Sequence, residues 1–490
     1  MTLASRPFPA KFPLSDRATH KDTQDTSLNN PIHTFQKKLV AAAFFAKHRN
    51  TLLTEHLKQL QQSQWLSPEA LASLQWERLK QTLENAYAHV PYYRDSMNAA
   101  GLTPQDFNQP ADLTALPVLE RETLREKLTD MAADNIDPIH RVLTATGGST
   151  GVPTPFFHTR DYIQKYQAVS LRCFEWANWT PGDGWARIWG ADVDIGAATQ
   201  WKTRLINSLT RRLVIPAWEL SESTMHTYAR QLQIFQPRVI EGYATPLHLF
   251  AQFLIENNVS GITPDFVISS AETLFPHQRE DMQSAFCCPV LNRYGTREVG
   301  AIAHECPQGS MHIQAEHVFV EYVNEDNTPV KPGEPGEILV TTLTNEIMPL
   351  IRYRIGDVGA HALQTCDCGR GLPLMQDLSG RVQDLIVLPD GRYLPGEFFP
   401  HLLKDFDIKA FQVVQDTVDH LSISVVPGPA LSTANKTRLL DIVKQHLHQD
   451  VTVELKPVDE IPLTKTGKLR YTISHVSRTP QTQNDIGTTE

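Results

Sequence analysis

The stretch from Thr144 to Thr154 carries residue types suited to binding an anion and reads Thr-Ala-Thr-Gly-Gly-Ser-Thr-Gly-Val-Pro-Thr. Its glycines alternate with hydroxyl residues, so the backbone can bend tightly and direct several N–H and O–H donors at one anion. A Walker P-loop would end in Gly-Lys-Ser/Thr, whereas Val152 follows Gly151 here. Alone, the stretch predicts either a phosphate cradle or an ordinary surface turn.

A second polar group, Tyr294-Gly-Thr-Arg-Glu298, follows an apolar segment that begins at Pro289 and is predicted to be a strand. Side chains at this point lie beyond the carboxyl end of the strand, where open α/β sheets bind their ligands. An aromatic ring, a hydroxyl and a carboxylate there could stack on a base, bind a phosphate and hold Mg²⁺. A polar strand end with a satisfied tyrosine is the alternative.

Three further motifs are ambiguous when each is taken alone. Tyr353-Arg-Ile-Gly-Asp357 places a carboxylate after a predicted turn glycine, and such a carboxylate can accept hydrogen bonds from the vicinal hydroxyls of a ribose. The motif Gly380-Arg-Val-Gln-Asp384 has the residues of an ordinary turn, and the segment 462–470, which contains Thr-Gly-Lys468, has those of a solvated loop.

A possible metal site combines Cys306-x5-His312 with Cys366-Asp-Cys368. Three thiolates and one imidazole are a ligand set suited to tetrahedral Zn²⁺. The fold would have to bring two short loops together, so buried or free thiols are the alternative. The unevenly spread cysteines of this long chain do not form a secreted disulfide framework.

The composition limits the classes of partner. The chain has 490 residues and a formal net charge of -10, with its basic residues scattered. This charge argues against nucleic acid and against an anionic membrane as the main partner, and favours a small-molecule substrate. The longest apolar run, Leu39 to Ala46, is far shorter than the roughly 20 residues of a membrane helix, so we expect a cytoplasmic protein.

The elements that must position these residues follow in a clear order. Helical periodicity covers about 35–88, and apolar strands alternating with helices, from Trp185 to Tyr294, predict an α/β domain with a largely parallel sheet. Short strands joined by turns between about 318 and 358 predict a β-rich subdomain. A last α+β unit begins near Gly380 and is large enough to fold separately.

The ordered set of motifs resembles the adenylate-forming superfamily of acyl-CoA synthetases, peptide-synthetase adenylation domains and luciferases. The set comprises the glycine-rich loop, Ala271-Glu272, Tyr-Gly-Thr-x-Glu, Tyr-Arg-x-Gly-Asp, Gly-Arg-x-x-Asp and Thr-Gly-Lys. Within this superfamily the chain is most similar to the phenylacetate-coenzyme A ligase branch, through Val90-Pro-Tyr-Tyr-Arg94, Asp112-Leu-Thr-Ala-Leu-Pro117 and Glu305-Cys306 before Met311-His312. The resemblance covers roughly residues 75–475.

The resemblance implies a domain organisation. Residues 1–34 would be a disordered tail, 35–381 the N-terminal adenylation domain with its β-rich subdomain at about 300–379, 382–478 a mobile C-terminal domain, and 479–490 a second tail. The small domain would rotate between two half-reactions, and Gln383 stands at the hinge position, where the family usually has Asp or Lys.

The resemblance also implies a reaction. A carboxylate attacks the α-phosphate of ATP, giving an acyl-adenylate and pyrophosphate, and a thiol or amine then displaces AMP. The implied nucleotide-binding residues are Thr146, Gly147, Gly148, Ser149, Thr150, Gly151, Ala271, Glu272, Tyr294, Gly295, Asp357 and Arg381. Tyr294 would stack on adenine, and Asp357, with Arg381, would bind the ribose. Thr296 would contact the α-phosphate, and Glu298 would hold Mg²⁺.

The central catalytic residue by this resemblance is Lys468. Negative charge grows on the α-phosphoryl oxygens and the attacking carboxylate as they approach, and a mobile ammonium between them stabilises the transition state more than the ground state. Some members of the branch bind zinc structurally, which favours Zn²⁺ at Cys306, His312, Cys366 and Cys368 over free thiols.

The acid-binding side would be lined by Trp189, Tyr243 and Ala244, which are residues equally suited to a core. Their aromatic walls favour an aryl acid. Coenzyme A is the expected acceptor; an amine or a carrier-protein thiol is the alternative, and a non-catalytic nucleotide-binding homologue is the remote one. A homodimer is possible.

Overall fold

A computed structural model describes residues 31–49, 51–145, 154–189, 206–217, 220–379, 385–390, 393–395, 398–403, 406–429, 431–447, 450–461 and 471–476. In chain order, the α-helices are α1 (Pro31–Lys47), α2 (Leu52–Ser63), α3 (Pro68–His89), α4 (Pro91–Ala99), α5 (Arg121–Glu126), α6 (Arg160–Trp176), α7 (Glu222–Phe235), α8 (Ala244–Glu256), α9 (Pro276–Phe286), α10 (Phe398–Leu403) and α11 (Thr433–His446).

The β-strands are, in chain order, β1 (Val142–Ala145), β2 (Pro155–His158), β3 (Trp185–Trp189), β4 (Arg212–Pro216), β5 (Val239–Tyr243), β6 (Phe266–Ser270), β7 (Val290–Thr296), β8 (Gly300–Glu305), β9 (Met311–Ile313), β10 (Val318–Val323), β11 (Gly336–Thr342), β12 (Tyr353–His361), β13 (Leu374–Ser379), β14 (Leu385–Val387), β15 (Tyr393–Pro395), β16 (Ile408–Thr417), β17 (His420–Pro427), β18 (Thr452–Pro457) and β19 (Thr472–Ser474).

One eleven-stranded sheet forms the centre of the large unit, in the order β10-β11-β12-β13-β9-β8-β7-β6-β5-β3-β4. From β4 to β7 every neighbouring pair is parallel, and from β7 to β10 every pair is antiparallel. The predicted mixed α/β class is therefore confirmed. The parallel part and the β-rich part share one sheet, with β7 as the strand common to both.

The parallel half is covered by helices on both faces because its central strands are buried along their whole length. Every residue of β5 and β6 is buried, which is the usual condition of a parallel sheet between helical layers. One face packs on α7, α8 and α9. The other packs on α6, through Phe174 against Val239, Phe266 and Ile268.

A four-stranded sheet, in the order β18-β17-β16-β19, forms the core of the C-terminal unit with α10 and α11. The buried amide of Gln415 holds the β14–β15 hairpin against this sheet. It accepts from the Val387 N–H at 3.0 Å, donates to the Val387 carbonyl at 2.6 Å and accepts from the Ser474 hydroxyl at 2.8 Å. The predicted domain boundaries stay predictions.

Several local predictions from the sequence are corrected by the fold. The Tyr353–Asp357 motif was expected to form a turn, but it lies inside β12, and Gly356 is a bulge residue with φ +89°. Helix α1 begins at Pro31, within the predicted tail, and β4, β8 and β9 were not expected. Among the helices that the structure describes, none is long and apolar enough to cross a membrane.

A fully buried ion pair joins the helical layer to the sheet. Arg172, on α6, donates to Glu316 at 2.6 Å and to the Leu60 carbonyl at 3.2 Å, and the Ser63 hydroxyl donates to Glu316 at 2.6 Å. Burial alone would raise the pKa of Glu316, but Arg172 holds it below its ordinary value. Both members of the pair are therefore charged and mutually dependent.

We expect Arg172→Met to lower the free energy of unfolding by about 3–5 kcal/mol, because it leaves the Glu316 charge buried without its partner. The double variant R172M/E316L removes both charges and should recover most of that loss. Urea denaturation measures both effects. The matched control is Lys165→Met, on the same helix, whose partly exposed pair with Glu346 should contribute less than about 1 kcal/mol. An R172M loss no larger than that of the control would contradict this account.

Candidate active site

The Tyr294–Glu298 motif begins inside β7, which ends at Thr296, and continues into the turn to β8, whereas the sequence predicted the whole motif beyond the strand. Gly295 has no room for a side chain, because an added Cβ would overlap the Gly300 carbonyl oxygen. Gly300 adopts φ +86°, and an added Cβ there would meet the Tyr166 ring at 2.6 Å. Glycine is thus required on both sides of this turn, which fixes the positions of Thr296 and Glu298 between them.

Tyr294 and Asp357, which the sequence predicts to contact one nucleotide, lie together. The Tyr294 hydroxyl donates to Asp357 Oδ2 at 3.0 Å. The bulge in β12 permits this contact: Leu339 pairs with Arg354 and Glu337 with Val358, so a four-residue step in β12 lies opposite a two-residue step in β11. A bulge of this kind bends its strand and changes the direction of a side chain.

Glu298 is buried and held by Tyr353, a motif residue for which the sequence suggested no role. The Tyr353 hydroxyl donates to Glu298 Oε1 at 3.0 Å, and Arg121 Nε donates to the same hydroxyl at 3.4 Å. Burial raises the pKa of Tyr353, and the Glu298 carboxylate raises it further, so the hydroxyl stays protonated and keeps donating. Burial would lower the pKa of Arg121, but Tyr353 and Glu298 raise it above its ordinary value.

The residue after Glu298 is fixed by two hydrogen bonds to its carbonyl. The Val299 oxygen accepts from the Tyr162 hydroxyl at 2.9 Å and from His317 Nε2 at 2.8 Å. Burial lowers the pKa of His317 to about 4, so its ring is neutral near pH 7. With Nε2 donating, Nδ1 accepts from the Thr344 hydroxyl at 2.8 Å. These two hydrogen bonds therefore hold the backbone next to Glu298 in place.

The glycine-rich loop spans 146–153 and lies outside the described residues, but both of its stems are in place. Strands β1 and β2 pair antiparallel, with Ala145 opposite Pro155. Arg297 donates to the Ala145 carbonyl at 3.4 Å, and Arg125 Nε donates to the Thr154 hydroxyl at 3.2 Å. The loop therefore begins and ends beside the Tyr294–Glu298 turn.

Arg121 and Arg125 are site residues that sequence reasoning missed. They lie four residues apart, on one face of the short helix α5, which follows the predicted loop at Pro117. The spacing Arg-x3-Arg close to the glycine-rich stretch was the available signal. It was a weak one, because arginines with this spacing usually lie on a solvated helix face.

Ala271 and Glu272 follow β6. Ala271 adopts φ +68°, and the Glu272 carboxylate accepts from the Thr245 N–H at 2.6 Å. Burial raises the pKa of Glu272, and this hydrogen bond opposes the shift. In the structure Glu272 thus caps the first turn of α8, and its predicted contact with the nucleotide stays a prediction.

The predicted acid-binding residues meet at the ends of β3 and β5. The Trp189 and Tyr243 rings lie 4.3 Å apart, and Ala244 is buried at the start of α8. Charge lies next to these rings. The Arg187 guanidinium stacks 4.0 Å over Trp189 and lies 3.0 Å from the buried Glu241 carboxylate, which also binds Arg293 at 2.7 Å.

The four predicted metal ligands converge. The ligand atoms of Cys306, His312, Cys366 and Cys368 all lie within 4.8 Å of one another. Cys306 Sγ is 3.6 Å from Cys366 Sγ, and Cys368 Sγ is 3.3 Å from His312 Nε2. Burial lowers the pKa of His312 to about 4, which leaves a neutral imidazole as a ligand. This donor set and its close spacing fit a bound metal ion.

Several predicted site residues lie outside the described part of the chain, so the structure does not place them. They are Thr146, Gly147, Gly148, Ser149, Thr150, Gly151, Arg381 and Lys468. The roles predicted for all the site residues stay predictions, including those of residues that the fold brings together.

Comparisons with known proteins agree with this architecture. A family model described as the CapK C-terminal domain matches residues 386–475. A phenylacetate-coenzyme A ligase of Escherichia coli is 28% identical over 375 residues, which cover 73% of this chain and 83% of the relative. A phenylacetate-coenzyme A ligase of Thermus thermophilus is 26% identical over 444 residues, covering 83% of this chain and 96% of the relative.

Among solved structures, a 2-hydroxyisobutyryl-CoA ligase in complex with R3-HIB-AMP superimposes with a TM-score of 0.57. It is 18% identical, and the match covers 84% of this chain and 91% of the other. The likeness shows that the two chains share a fold. Together, fold and sequence relationships define the class of protein: the chain is an adenylate-forming ligase. Within that class it is of the phenylacetate-coenzyme A ligase-like type, as its motifs indicate.

Proposed function

We propose that this chain adenylates a carboxylic acid with ATP and then transfers the acyl group to coenzyme A. The observation that carries the proposal is the hydrogen bond from Tyr294 to Asp357, formed beside Glu298 and both stems of the glycine-rich loop. The Tyr294 ring, the Asp357 carboxylate and the glycine-rich loop suit the base, the ribose and the phosphates of a nucleotide, respectively. The similarity to phenylacetate-coenzyme A ligases supports coenzyme A as the acceptor.

In the proposed site, the Tyr294 ring stacks on adenine, and the Asp357 carboxylate accepts from the ribose hydroxyls. The glycine-rich loop binds the β- and γ-phosphates through its backbone N–H groups and its hydroxyls. Glu298, fixed by Tyr353, holds Mg²⁺, which neutralises phosphate charge when bound. Thr296 lies next to Glu298 on the same turn and contacts the α-phosphate.

Lys468 supplies the mobile positive charge for the adenylation step. Its segment precedes β19, which pairs parallel with β16. Tyr471, three residues further along the chain, lies near Arg121 and Arg125. This proximity supports the proposal, because Tyr471 is close in sequence to Lys468 and Arg125 contacts Thr154, at the end of the glycine-rich stretch.

The acid is proposed to bind against the surface that Trp189 and Tyr243 form together. These two rings, tilted by 46° to each other, favour a planar aryl acid, as the sequence predicts. An amine or a carrier-protein thiol as acceptor is an outcome that the assays below distinguish from coenzyme A.

For the metal site we propose Zn²⁺ as a structural ion. Three thiol groups and one imidazole leave no open coordination position on a tetrahedral ion, so the site would stabilise the fold without taking part in catalysis. Cys306 precedes β9, and Cys366 and Cys368 lie in the loop before β13, its neighbour in the sheet. The ion would join these two loops.

We expect Lys468→Ala to lower acid-dependent exchange of pyrophosphate into ATP by about a hundredfold or more, because the variant loses a charge that acts mainly in the transition state. The matched control is Lys465→Ala, in the same segment of the sequence, which should retain near wild-type exchange.

A panel of aryl and aliphatic acids identifies the substrate, and AMP release stimulated by coenzyme A, an amine or a carrier protein identifies the acceptor. Near wild-type exchange in the Lys468 variant would refute its assignment, and no exchange with any acid would refute the proposed function.

Protein purified without a chelator should contain about one equivalent of zinc. We expect Cys368→Ser to lose the zinc. Its free energy of unfolding should be about 4 kcal/mol lower than that of the wild type, because the ion no longer joins the two loops. Elemental analysis and denaturation measure the two effects, and Cys287→Ser, at an exposed position outside the cluster, is the control. Metal-free protein with wild-type stability, and with all these thiols accessible to titration, would contradict the assignment.

A further inference from the structure

Two segments of the chain are basic and lack acidic residues, in contrast to the net charge of -10 of the whole. From Leu28 to Thr54 there is no Asp or Glu, but there are Lys37, Lys38, Lys47 and Arg49. From 195 to 218 there is again no acidic residue, and the basic residues are Lys202, Arg204, Arg211 and Arg212. The net charge of the whole chain does not reveal this local excess of positive charge.

The fold brings the described parts of these segments together. Helix α1 lies against residues 206–210, where the Gln36 amide donates to the Ser208 carbonyl at 3.3 Å. Lys37 binds Asp183 at 2.6 Å, and Gly182 approaches the Lys37 carbonyl so closely that an added Cβ would overlap it. These contacts anchor one face of α1 and leave the opposite face toward solvent.

The outer face of α1 is apolar at helical spacing. Phe35, Leu39, Ala42, Ala43 and Ala46 are all exposed there. The exposed fraction is 69% for Phe35 and 58% for Leu39, and neighbouring Ile206 and Leu209 are each 58% exposed. A contiguous group of large, exposed apolar side chains is uncommon on a protein that stays free in solution, and it usually marks an interaction site.

Cations border this apolar face. Lys38 and Lys47 are exposed on α1, Arg49 is exposed in the turn that follows it, and Arg212 is exposed after the 206–209 segment. We call the exposed residues of 35–49 and 206–212 the basic-apolar surface. Apolar side chains projecting between cations are typical of helices that lie in the interface of an anionic membrane.

We propose that the basic-apolar surface docks on an anionic lipid membrane, with Phe35, Leu39, Ile206 and Leu209 inserted among the headgroups. Its apolar side chains project outward from a helix, as insertion into a fluid interface requires. The cations lie within reach of lipid phosphates, each contributing about 1 kcal/mol of attraction, or roughly a fivefold change in affinity. Charges beyond the Debye length of about 8–10 Å are screened, so acidic residues on the faces turned away from the membrane would oppose the binding little.

The test is sedimentation of the full chain with lipid vesicles. We expect binding to vesicles that contain phosphatidylglycerol, weak binding to pure phosphatidylcholine, and release at high salt. The variant K38Q/K47Q should bind the anionic vesicles about 25-fold more weakly, at roughly fivefold per cation removed. The variant F35S/L39S should lose most of the binding. Leu363→Ser is the matched control, because Leu363 is 71% exposed but lies in the loop between β12 and β13, outside the basic-apolar surface.

Circular dichroism and pyrophosphate exchange verify that the variants remain folded, since none of the substituted residues belongs to the proposed active site. Three results would overturn the proposal. One is no binding of the wild-type chain to anionic vesicles at low salt. Another is equal binding by wild type and F35S/L39S. The third is loss of a dimer in F35S/L39S, seen by light scattering without vesicle binding, which would identify a second copy of the chain as the occupant.

Discussion

The contact between Tyr294 and Asp357 constrains the whole large unit. In the sheet order, β7 and β12 are separated by β8, β9 and β13, and four inter-strand spacings of about 4.8 Å would put them roughly 19 Å apart in a flat sheet. Two side chains cannot span that distance, yet their oxygens lie 3.0 Å apart. The antiparallel half must therefore curl strongly, and the bulge at Gly356 completes the approach. Curvature of the sheet thus brings the two predicted site residues together.

Around this contact, buried partners fix the direction of each charged group before any ligand is present. Glu298 depends on Tyr353, and the carbonyl of Val299 depends on Tyr162 and His317. Groups held in this way need little reorganisation when charge develops in a reaction, which is a main source of catalytic power. The metal cluster, by contrast, belongs to the loops before β9 and β13 and contributes only to their stability in this account.

The sequence was most informative where the local pattern decides the structure. The apolar segments that alternate with helical patterns between Trp185 and Tyr294 predicted the parallel strands of the sheet, and the ordered motifs indicated the class of ligase. The sequence could not predict that Gly356 is a bulge within a strand, because a glycine with positive φ is equally common in turns. It also could not show that Tyr353 and Arg121 support Glu298, since those contacts depend on long-range strand pairing. The proximity of Cys306 to Cys366 likewise depends on the register of β9 and β13.

The central claim is that loops from distant parts of the chain converge on one nucleotide. A crystal structure of the chain with ATP and Mg²⁺ tests it most directly. The account predicts adenine stacked on the Tyr294 ring, ribose hydroxyls about 2.6–3.2 Å from the Asp357 carboxylate, and phosphates in the glycine-rich loop. A nucleotide bound elsewhere, with the Tyr294–Asp357 region unchanged and open to solvent, would contradict it.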